Sequence, residues 1–342
     1  MSKGSQRKNE HLSLFEKYYD PNQKNDFDEI RLIPKLIPEL ALKDVDISTN
    51  CLNYHFSHSF FINAMTGGSD KAREINTQLA NLSRKYDLAM AVGSQKIGII
   101  DKTTQDSFTV VRDINPNGFI IANLSANQSL DNIKEAIKMI GANAIQLHVN
   151  SPQELVNKEG DRDFYLLRHL NEIVTKVDKP IILKSVGFGM SPADIKQLIK
   201  IGIKNFDVSG MGGTNFIKIE NQQNFLQDWN YLEGFGLSTV ESLMGARNLK
   251  ANLIASGGIR NPLDVVKSFV LGAKLVGVSG TFIHLLIKKD PEKLSILIED
   301  WIDMIPKIML MIGQKSLLKA QNTSYIASQK LVNAVNFLDK SF

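Results

Sequence analysis

The sequence predicts an α/β protein built as a closed (β/α)₈ barrel of the TIM type, with N- and C-terminal extensions. Short apolar runs recur along the chain, and amphipathic helical patterns separate most of them. The runs are nearly continuous in apolar residues, which is typical of parallel strands that helices cover on both faces. Eight such runs occur, at residues 60–64, 88–92, 118–123, 144–149, 180–184, 205–208, 252–255 and 275–278.

Helices are predicted between these runs. Two helix starts, at residues 191–194 and 261–264, place a capping side chain before a proline and then an acid in the first turn. Glycines that suit left-handed helix ends follow at Gly141, Gly202 and Gly272. The helical patterns are clearest over residues 70–86, 131–140, 164–177 and 192–201.

The eight β/α units lie within residues 60–286 and favour one barrel, because such barrels form a single domain of about 250 residues. We therefore expect residues 1–342 to form one domain. Residues 1–59 would be an N-terminal extension, and residues 287–342 would form C-terminal helices. An open, doubly wound sheet is the structural alternative.

One connection between predicted strands is unusually long, because about 40 residues separate the sixth run from the seventh. It contains the glycine-rich segment 210–221 and an aromatic cluster of Trp229, Tyr231 and Phe235. Long loops in compact domains often carry function. The connection is therefore a candidate substrate lid or loop.

Composition excludes several classes of protein. Hydrophobic residues make up 43% of the chain and charged residues 22%, an ordinary globular balance. Cys51 is the only cysteine, so neither a disulfide framework nor a multi-cysteine metal site is expected. The net charge of +4 is spread thinly, so no nucleic-acid partner is expected. The apolar stretch 295–313 contains four charges and a proline, which predicts a packed amphipathic helix and no membrane contact.

Catalytic groups in such barrels lie at the carboxyl ends of the strands. After the last three predicted strands the chain has Gly212-Gly213-Thr214, Gly257-Gly258 and Ser279-Gly280. Turns of this kind expose backbone N–H groups, and a helix that begins there favours a bound anion. Glycine can also simply permit a tight turn. Three such turns on adjacent strands favour a phosphate site.

Polar side chains after the other strands fit a flat cofactor with polar edges, such as FMN. Thr66, Ser94 and Asn123 follow the first three strands. Lys184, at the end of the fifth strand, could balance negative charge on a reduced flavin or form a structural ion pair. No dinucleotide-binding glycine fingerprint follows the first strand.

The fourth strand end has the densest group of polar residues. His148, Asn150, Gln153 and Glu154 fall within seven positions. One carboxylate is too little for a metal cage made of protein alone. It suits Mg²⁺ that takes its remaining ligands from water and a diphosphate.

These residues resemble the type 2 isopentenyl-diphosphate delta-isomerases, which are FMN-dependent (β/α)₈ enzymes. The resemblance covers most of the chain in order, and its specific part is the combination of the early Arg7-Lys8 pair, the run that ends in Gln153-Glu154, and the segment 159–164. The matching segments are 7–12, 63–68, 93–95, 146–154, 159–164, 210–220 and 256–260.

The resemblance implies the interconversion of isopentenyl diphosphate and dimethylallyl diphosphate in isoprenoid biosynthesis, with FMN, Mg²⁺ and NAD(P)H. It also implies a cytoplasmic homotetramer or homo-octamer. Glu154 would hold the metal, and Gln153 and His148 would assist catalysis. The substrate would contact Arg7, Lys8, Ser94, Gln95, Lys96, Asn150 and Gln153. The flavin would contact Ala64, Met65, Thr66, Ser94, Asn123, Lys184, Ser209, Thr214, Gly258, Ile259, Arg260, Ser279 and Gly280.

The chain departs from the family pattern at three positions. Lys96 stands where arginine is usual and keeps the charge without the bidentate fork. Ser185 stands where glutamate is usual, and Phe216 where many members have tryptophan. These departures bear on substrate affinity and flavin tuning more than on reaction type.

The implied reaction moves a proton along an allylic system without net redox change. An unactivated alkene is a poor base, so a strong, positioned acid is needed. Reduced FMN is the candidate acid–base group. The alternative functions are an FMN-dependent oxidoreductase of the hydroxy-acid or dihydroorotate type, and a non-catalytic phosphate-binding barrel.

Overall fold

In the computed structural model of the chain, residues 3–157, 160–223 and 228–340 are described. The side chains of residues 3, 5, 7, 223, 339 and 340 are not described. The side chain of Arg7 and the whole of Glu159, both part of the resemblance, therefore lie outside the described residues.

Eight parallel strands of the described chain close into a barrel in which each strand pairs with the next and the last pairs with the first. Val276 and Val278 of the last strand lie opposite Phe60 and Ile62 of the first. All eight predicted strands are confirmed, and this closure excludes the open-sheet alternative. The strands are β1 Phe60–Ile62, β2 Met90–Ala91, β3 Ile120–Ser125, β4 Ala144–His148, β5 Ile181–Lys184, β6 Asn205–Asp207, β7 Asn252–Ala255 and β8 Ala273–Val278.

Helices surround the barrel and follow most of its strands. They are α1 Lys3–Tyr18, α2 Asp70–Lys85, α3 Lys96–Ile100, α4 Asp106–Ile114, α5 Leu130–Met139, α6 Ser151–Val156, α7 Leu167–Lys176, α8 Pro192–Lys200, α9 Phe216–Gln223, α10 Thr239–Ala246, α11 Pro262–Val270, α12 Gly280–Ile287, α13 Pro291–Met311, α14 Leu317–Ala320 and α15 Gln329–Lys340. Single 3₁₀ turns lie at Asp26–Glu29, Leu42–Asp44, Lys102–Thr104 and Asn230–Leu232.

The local signals for helix ends are confirmed. Ser191 and Asn261 accept hydrogen bonds from the backbone N–H three residues later, at 3.1 and 3.0 Å. The glycines at 141, 202 and 272 have positive φ. Helix α7 begins at Leu167 and not at residue 164, because the preceding segment is bound to the end of α6. There Arg162 donates to the backbone carbonyls of Glu154 and Asn157, both at 2.7 Å.

The two extensions pack on the barrel and on each other. An antiparallel pair, Ile30–Leu32 with Tyr325–Ala327, joins the N-terminal and C-terminal extensions. A second antiparallel pair, Thr49–Cys51 with Tyr54–Phe56, contributes Phe56 to the apolar cluster at the amino-terminal end of the barrel.

Helix α13 packs one apolar face on the barrel, as predicted. Its buried residues are Leu294, Ile298, Trp301, Ile305 and Met309, a helical repeat of three and four. The ring of Trp301 lies 5.6 Å from that of Phe60. Among the described residues, no helix has both the length and the hydrophobicity that a membrane span requires.

Candidate active site

Two cavities, of about 380 and 630 Å³, open at the carboxyl ends of the strands. They share Ala64, Met65, Lys184 and Thr214 as lining residues, so they form one continuous cleft. Thirteen residues were expected to contact a flavin, and each of them lines one cavity or both.

The smaller cavity is bounded by glycine turns that touch backbone to backbone. A Cβ on Gly213 would lie 2.8 Å from the backbone nitrogen of Gly258, and a Cβ on Gly257 would lie 2.3 Å from the carbonyl oxygen of Gly210. Side chains are therefore excluded where the two turns meet. The result is a cradle of closely spaced backbone groups, the arrangement that binds phosphate.

The segment before the first strand braces this cradle from outside. Asn25 donates from its side chain to the carbonyl of Gly258 at 3.0 Å. Arg260 binds Asp28 at 2.7 Å and Asp264 at 3.0 Å. These two carboxylates raise the pKa of Arg260, and the hydrogen bond from Arg260 lowers the pKa of Asp28. Arg260 lines the cavity, but its guanidinium is already paired within the protein.

Helix α12 begins at Gly280 beside the cradle, and α1 is fastened to it. Glu16 of α1 binds both His284 of α12 and Lys288, the residue just after this helix, at 2.9 Å. Tyr19 stacks on His284 with ring centroids 4.3 Å apart. These contacts hold α1 over the cleft, where its Lys8, His11 and Phe15 line the larger cavity.

Lys184 forms an ion pair with Asp207 at 2.6 Å, and both side chains are buried. It also lines both cavities. The ion pair that the sequence allowed for Lys184 is therefore present, and its position beside a flavin stays a prediction. Asp207 also accepts from Ser256 at 2.5 Å and from Asn63 at 2.9 Å.

Buried amides continue from this ion pair across the interior of the barrel. Gln146 donates to Asn63 at 2.8 Å, and Asn123 donates to Gln146 at 3.0 Å. The oxygen of Asn123 lies 3.2 Å from Nδ1 of His148. Neither Asn63 nor Gln146 was singled out from the sequence as a site residue, since each reads simply as a polar residue at a strand end.

His148 lines the larger cavity, in the expected place. Removal from water, together with the nearby charges of Lys8, Lys184 and Lys96, lowers the pKa of His148 to about 3. The imidazole is therefore neutral across the physiological range. It cannot serve as a cationic acid at neutral pH.

Gln153 lies in the larger cavity and is held from two sides. Its side chain donates to Glu220 at 2.7 Å and accepts from Asn150 at 2.5 Å. Nε2 of His11 lies 3.8 Å from the same Glu220 carboxylate. Glu220 is buried and was not predicted as a site residue, because only the folding of α9 against α6 brings it to Gln153.

The structure corrects two expected substrate contacts. Asn150 is the N-cap of α6 and accepts from the backbone of Gln153 at 3.1 Å, so it positions Gln153 and does not line the cleft. Gln95 is fully buried, and its side chain donates to the carbonyl of Ala136 at 2.9 Å on α5. It therefore faces away from the cleft, between its neighbours Ser94 and Lys96, which do line it.

Charged side chains of both signs line the larger cavity. Glu154 lines it and accepts from the backbone N–H of Asp161 at 3.0 Å. Asp161, Lys8 and Lys96 line it as well. Within the described part of the chain, no cluster of three or more histidine, cysteine, aspartate or glutamate side chains could hold a metal by itself.

The long connection after β6 lines the cleft, as expected, through its first part. Thr214, Phe216 and Ile219 contribute to both cavities. The aromatic cluster of Trp229, Tyr231 and Phe235 lines neither of them, and Tyr231 is 75% exposed. The first part of the connection therefore lies at the cleft, and its aromatic cluster lies outside it in the conformation described.

Comparison with known proteins gives two kinds of similarity. The family model for FMN-dependent dehydrogenases matches residues 116–327. An isopentenyl-diphosphate delta-isomerase of Latilactobacillus sakei is 45% identical, over 97% of this chain and 96% of the relative. One of Lactococcus lactis is 39% identical, over 98% and 96%.

Solved structures of two flavin enzymes have the same fold. The flavin-binding domain of baker's yeast flavocytochrome b2 superimposes with a TM-score of 0.67 at 17% identity, covering 95% of this chain and 87% of that one. A mandelate oxidase mutant gives 0.63 at 15%, covering 93% and 92%. At these identities the likeness concerns the fold alone.

Proposed function

The chain belongs to the isopentenyl-diphosphate delta-isomerases within the FMN-dependent dehydrogenase family, and from that premise we propose that it interconverts isopentenyl and dimethylallyl diphosphate. The conversion is an allylic 1,3-proton shift that serves isoprenoid biosynthesis. Reduced FMN, Mg²⁺ on the diphosphate and NAD(P)H as the source of reducing equivalents complete the proposal. The observation that carries it is one cleft with a backbone cradle at one end and Lys8, Lys96 and Glu154 at the other.

The residues present fit FMN. The glycine turns offer a phosphate cradle that any side chain would fill. Within the described residues, the buried hydroxyl of Thr66 has no hydrogen-bond partner in the protein. A buried polar atom of this kind needs a partner, and a bound cofactor can supply it. Lys184 adds a cation where the two cavities join.

The donor set also fits Mg²⁺. This ion binds through one or two carboxylates and takes its remaining ligands from water and phosphate oxygens. Glu154 supplies such a carboxylate, and Lys8 and Lys96 line the same cavity. We propose that these cations, together with Arg7, hold the diphosphate while Glu154 holds the metal.

The protein's own groups would position the alkene and exclude water. Reduced FMN, when bound, supplies acid–base chemistry and an electron-rich ring that stabilises positive charge. Gln153 is fixed by Asn150 and Glu220 and can orient the reacting carbons. His148 is neutral and cannot supply a proton as a cation. We therefore propose that the acid is another group.

The alternative function, an oxidoreductase of the hydroxy-acid type, needs a basic group that accepts a proton from substrate near neutral pH. Burial lowers the pKa of His148 to about 3, which makes it a weak base. This favours the isomerase. The proposal also includes a cytoplasmic location and assembly into a homotetramer or homo-octamer.

Proton NMR of isopentenyl diphosphate, incubated with FMN-loaded enzyme and Mg²⁺, tests this function. We expect dimethylallyl diphosphate to form after dithionite reduction without any NAD(P)H, and the flavin to stay reduced. The matched control is the same sample with oxidised flavin, which should give no product. Stoichiometric reoxidation of the flavin by substrate would refute the proposal and favour the oxidoreductase.

A further inference from the structure

A chain of hydrogen-bonded buried amides ends at His148. The ion pair between Lys184 and Asp207, at its other end, determines which end of each amide donates and which accepts. Lys184 can only donate hydrogen bonds. Asp207, paired with it at 2.6 Å, is held as an anion that can only accept. The contact between Asp207 and Asn63 at 2.9 Å must therefore come from the Asn63 amide nitrogen. The oxygen of Asn63 then faces the other way.

A backbone group confirms the orientation of Asn63 independently. The N–H of Ala64 donates to the Asn63 side-chain oxygen at 2.8 Å. A backbone N–H is always a donor, so this oxygen cannot be exchanged with the amide nitrogen. Asn63 therefore presents an acceptor to Gln146, and Gln146 must donate to it, at 2.8 Å.

The same logic passes through the next two amides. Because the nitrogen of Gln146 is used toward Asn63, its oxygen faces Asn123 and accepts at 3.0 Å. The oxygen of Asn123 then faces Nδ1 of His148 at 3.2 Å. An oxygen acceptor requires a donor, so Nδ1 must carry the proton.

We infer that this relay, from Asp207 through Asn63, Gln146 and Asn123, locks His148 as the Nδ1–H tautomer and reserves its Nε2 as a hydrogen-bond acceptor. The neutral ring that the surrounding cations favour has one proton, so protonation at Nδ1 leaves Nε2 bare. Gln146 and Asp207 are positioning residues here, since neither lines the cleft.

The inference rests on the proposed function for the identity of the donor that Nε2 meets. Isopentenyl diphosphate offers a hydrocarbon and an ionised diphosphate, neither of which donates hydrogen bonds at neutral pH. A flavin ring carries N–H groups. Between isopentenyl diphosphate and the flavin, only the flavin can therefore donate to His148 from its own atoms. The assigned role is recognition of the cofactor.

Magic-angle-spinning NMR of FMN-loaded enzyme with ¹⁵N-labelled histidine tests the tautomer without any turnover. The chain has six histidines, and the His148 signals are those lost in His148→Gln. We expect a protonated Nδ1 and a bare Nε2, and we expect the Nε2 signal to move between the apoprotein and the FMN complex. Inorganic diphosphate with Mg²⁺, in place of FMN, should leave it unmoved. A protonated Nε2, or an Nε2 signal that does not move when FMN binds, would overturn the inference.

Two matched substitutions test the relay itself. Gln146→Met removes both relay bonds and should give a mixture of tautomers, with kcat lowered about two- to tenfold and KM little changed. Gln95 is equally buried and binds the backbone of Asn123 at 3.1 Å, so Gln95→Met should leave the His148 tautomer as it is. Gln146→Glu should restore the tautomer, because a buried, neutral carboxyl group can both donate and accept.

A folded Gln146→Met enzyme whose His148 keeps the single Nδ1–H tautomer would refute the relay. If this variant does not fold, the wild-type spectrum alone still decides the tautomer. Because the NMR readouts are independent of turnover, the tautomer can fail while the isomerase activity stands, and the reverse is also possible.

Discussion

Replacement of Gly258 by alanine tests whether the glycine turns form the cofactor's phosphate cradle. Gly258 has φ +82°, and a Cβ there would lie 2.8 Å from both the Asn25 amide nitrogen and the Gly212 carbonyl oxygen. A left-handed conformation costs about 1–2 kcal/mol for a residue with a side chain. The turn can relieve this cost and the close contacts only by moving. A displaced turn would no longer hold its backbone groups in place for the phosphate.

We therefore expect Gly258→Ala to weaken FMN binding about 10- to 100-fold, the equivalent of about 1.4–2.8 kcal/mol. Fluorescence titration of apoprotein with FMN measures the dissociation constant, and thermal unfolding without FMN measures stability.

Two other glycines serve as controls for this prediction. Gly141 has φ +53°, and a Cβ there would approach only Arg112, at 3.5 Å, outside the cleft. Gly141→Ala should lower the unfolding temperature without changing FMN affinity. A Cβ on Gly234 would meet nothing within 4 Å, so Gly234→Ala should change neither quantity. If Gly258→Ala binds FMN as tightly as Gly141→Ala does, the assignment of the cradle is wrong.

Three further substitutions test separate parts of the structure. Glu154→Gln should abolish Mg²⁺-dependent turnover while FMN absorbance is retained, and unchanged turnover would refute the metal role. Trp301→Ala should lower the free energy of unfolding by about 3–5 kcal/mol in denaturant titrations, because it empties a fully buried site; a loss below 1 kcal/mol would contradict that packing. Asp28→Asn should lower the unfolding temperature at neutral pH. Because Arg260 lowers the pKa of Asp28 below its usual 3.8, the stabilisation is complete above that value and is lost as pH falls through the lower, folded-state pKa. The difference in unfolding temperature between wild type and variant should therefore shrink in acid, and a difference that persists there would contradict the ion pair.

The barrel could be predicted from the sequence because its signals are local. Strands buried on both faces are apolar along their whole length, and capping residues lie within four positions of the helix ends they stabilise. The glycine turns after β6, β7 and β8 could be placed at one end of the barrel for the same reason, once the strand order was known. The resemblance then supplied roles for individual positions.

Contacts between distant segments could not be predicted in this way. Asp207 reads as the last residue of a strand, and nothing near it in the sequence indicates that Lys184 is its partner. Glu220 reaches Gln153 across 67 positions. Gln95 shows a further limit: neighbouring residues in a turn point in different directions, and only the packing against α5 decides which of them faces the cleft.

The N-terminal and C-terminal extensions are joined to each other by backbone hydrogen bonds. Tyr325–Ala327 pairs with Ile30–Leu32, and the backbone N–H of Ser328 donates to the carbonyl of Glu29 at 3.2 Å. The segment held in this way also carries Asn25 and Asp28 to the phosphate cradle. The strand Tyr325–Ala327 therefore supports the phosphate cradle indirectly, through the N-terminal segment with which it pairs. We therefore expect a truncation before residue 325 to weaken FMN binding, although the removed residues do not line the cleft.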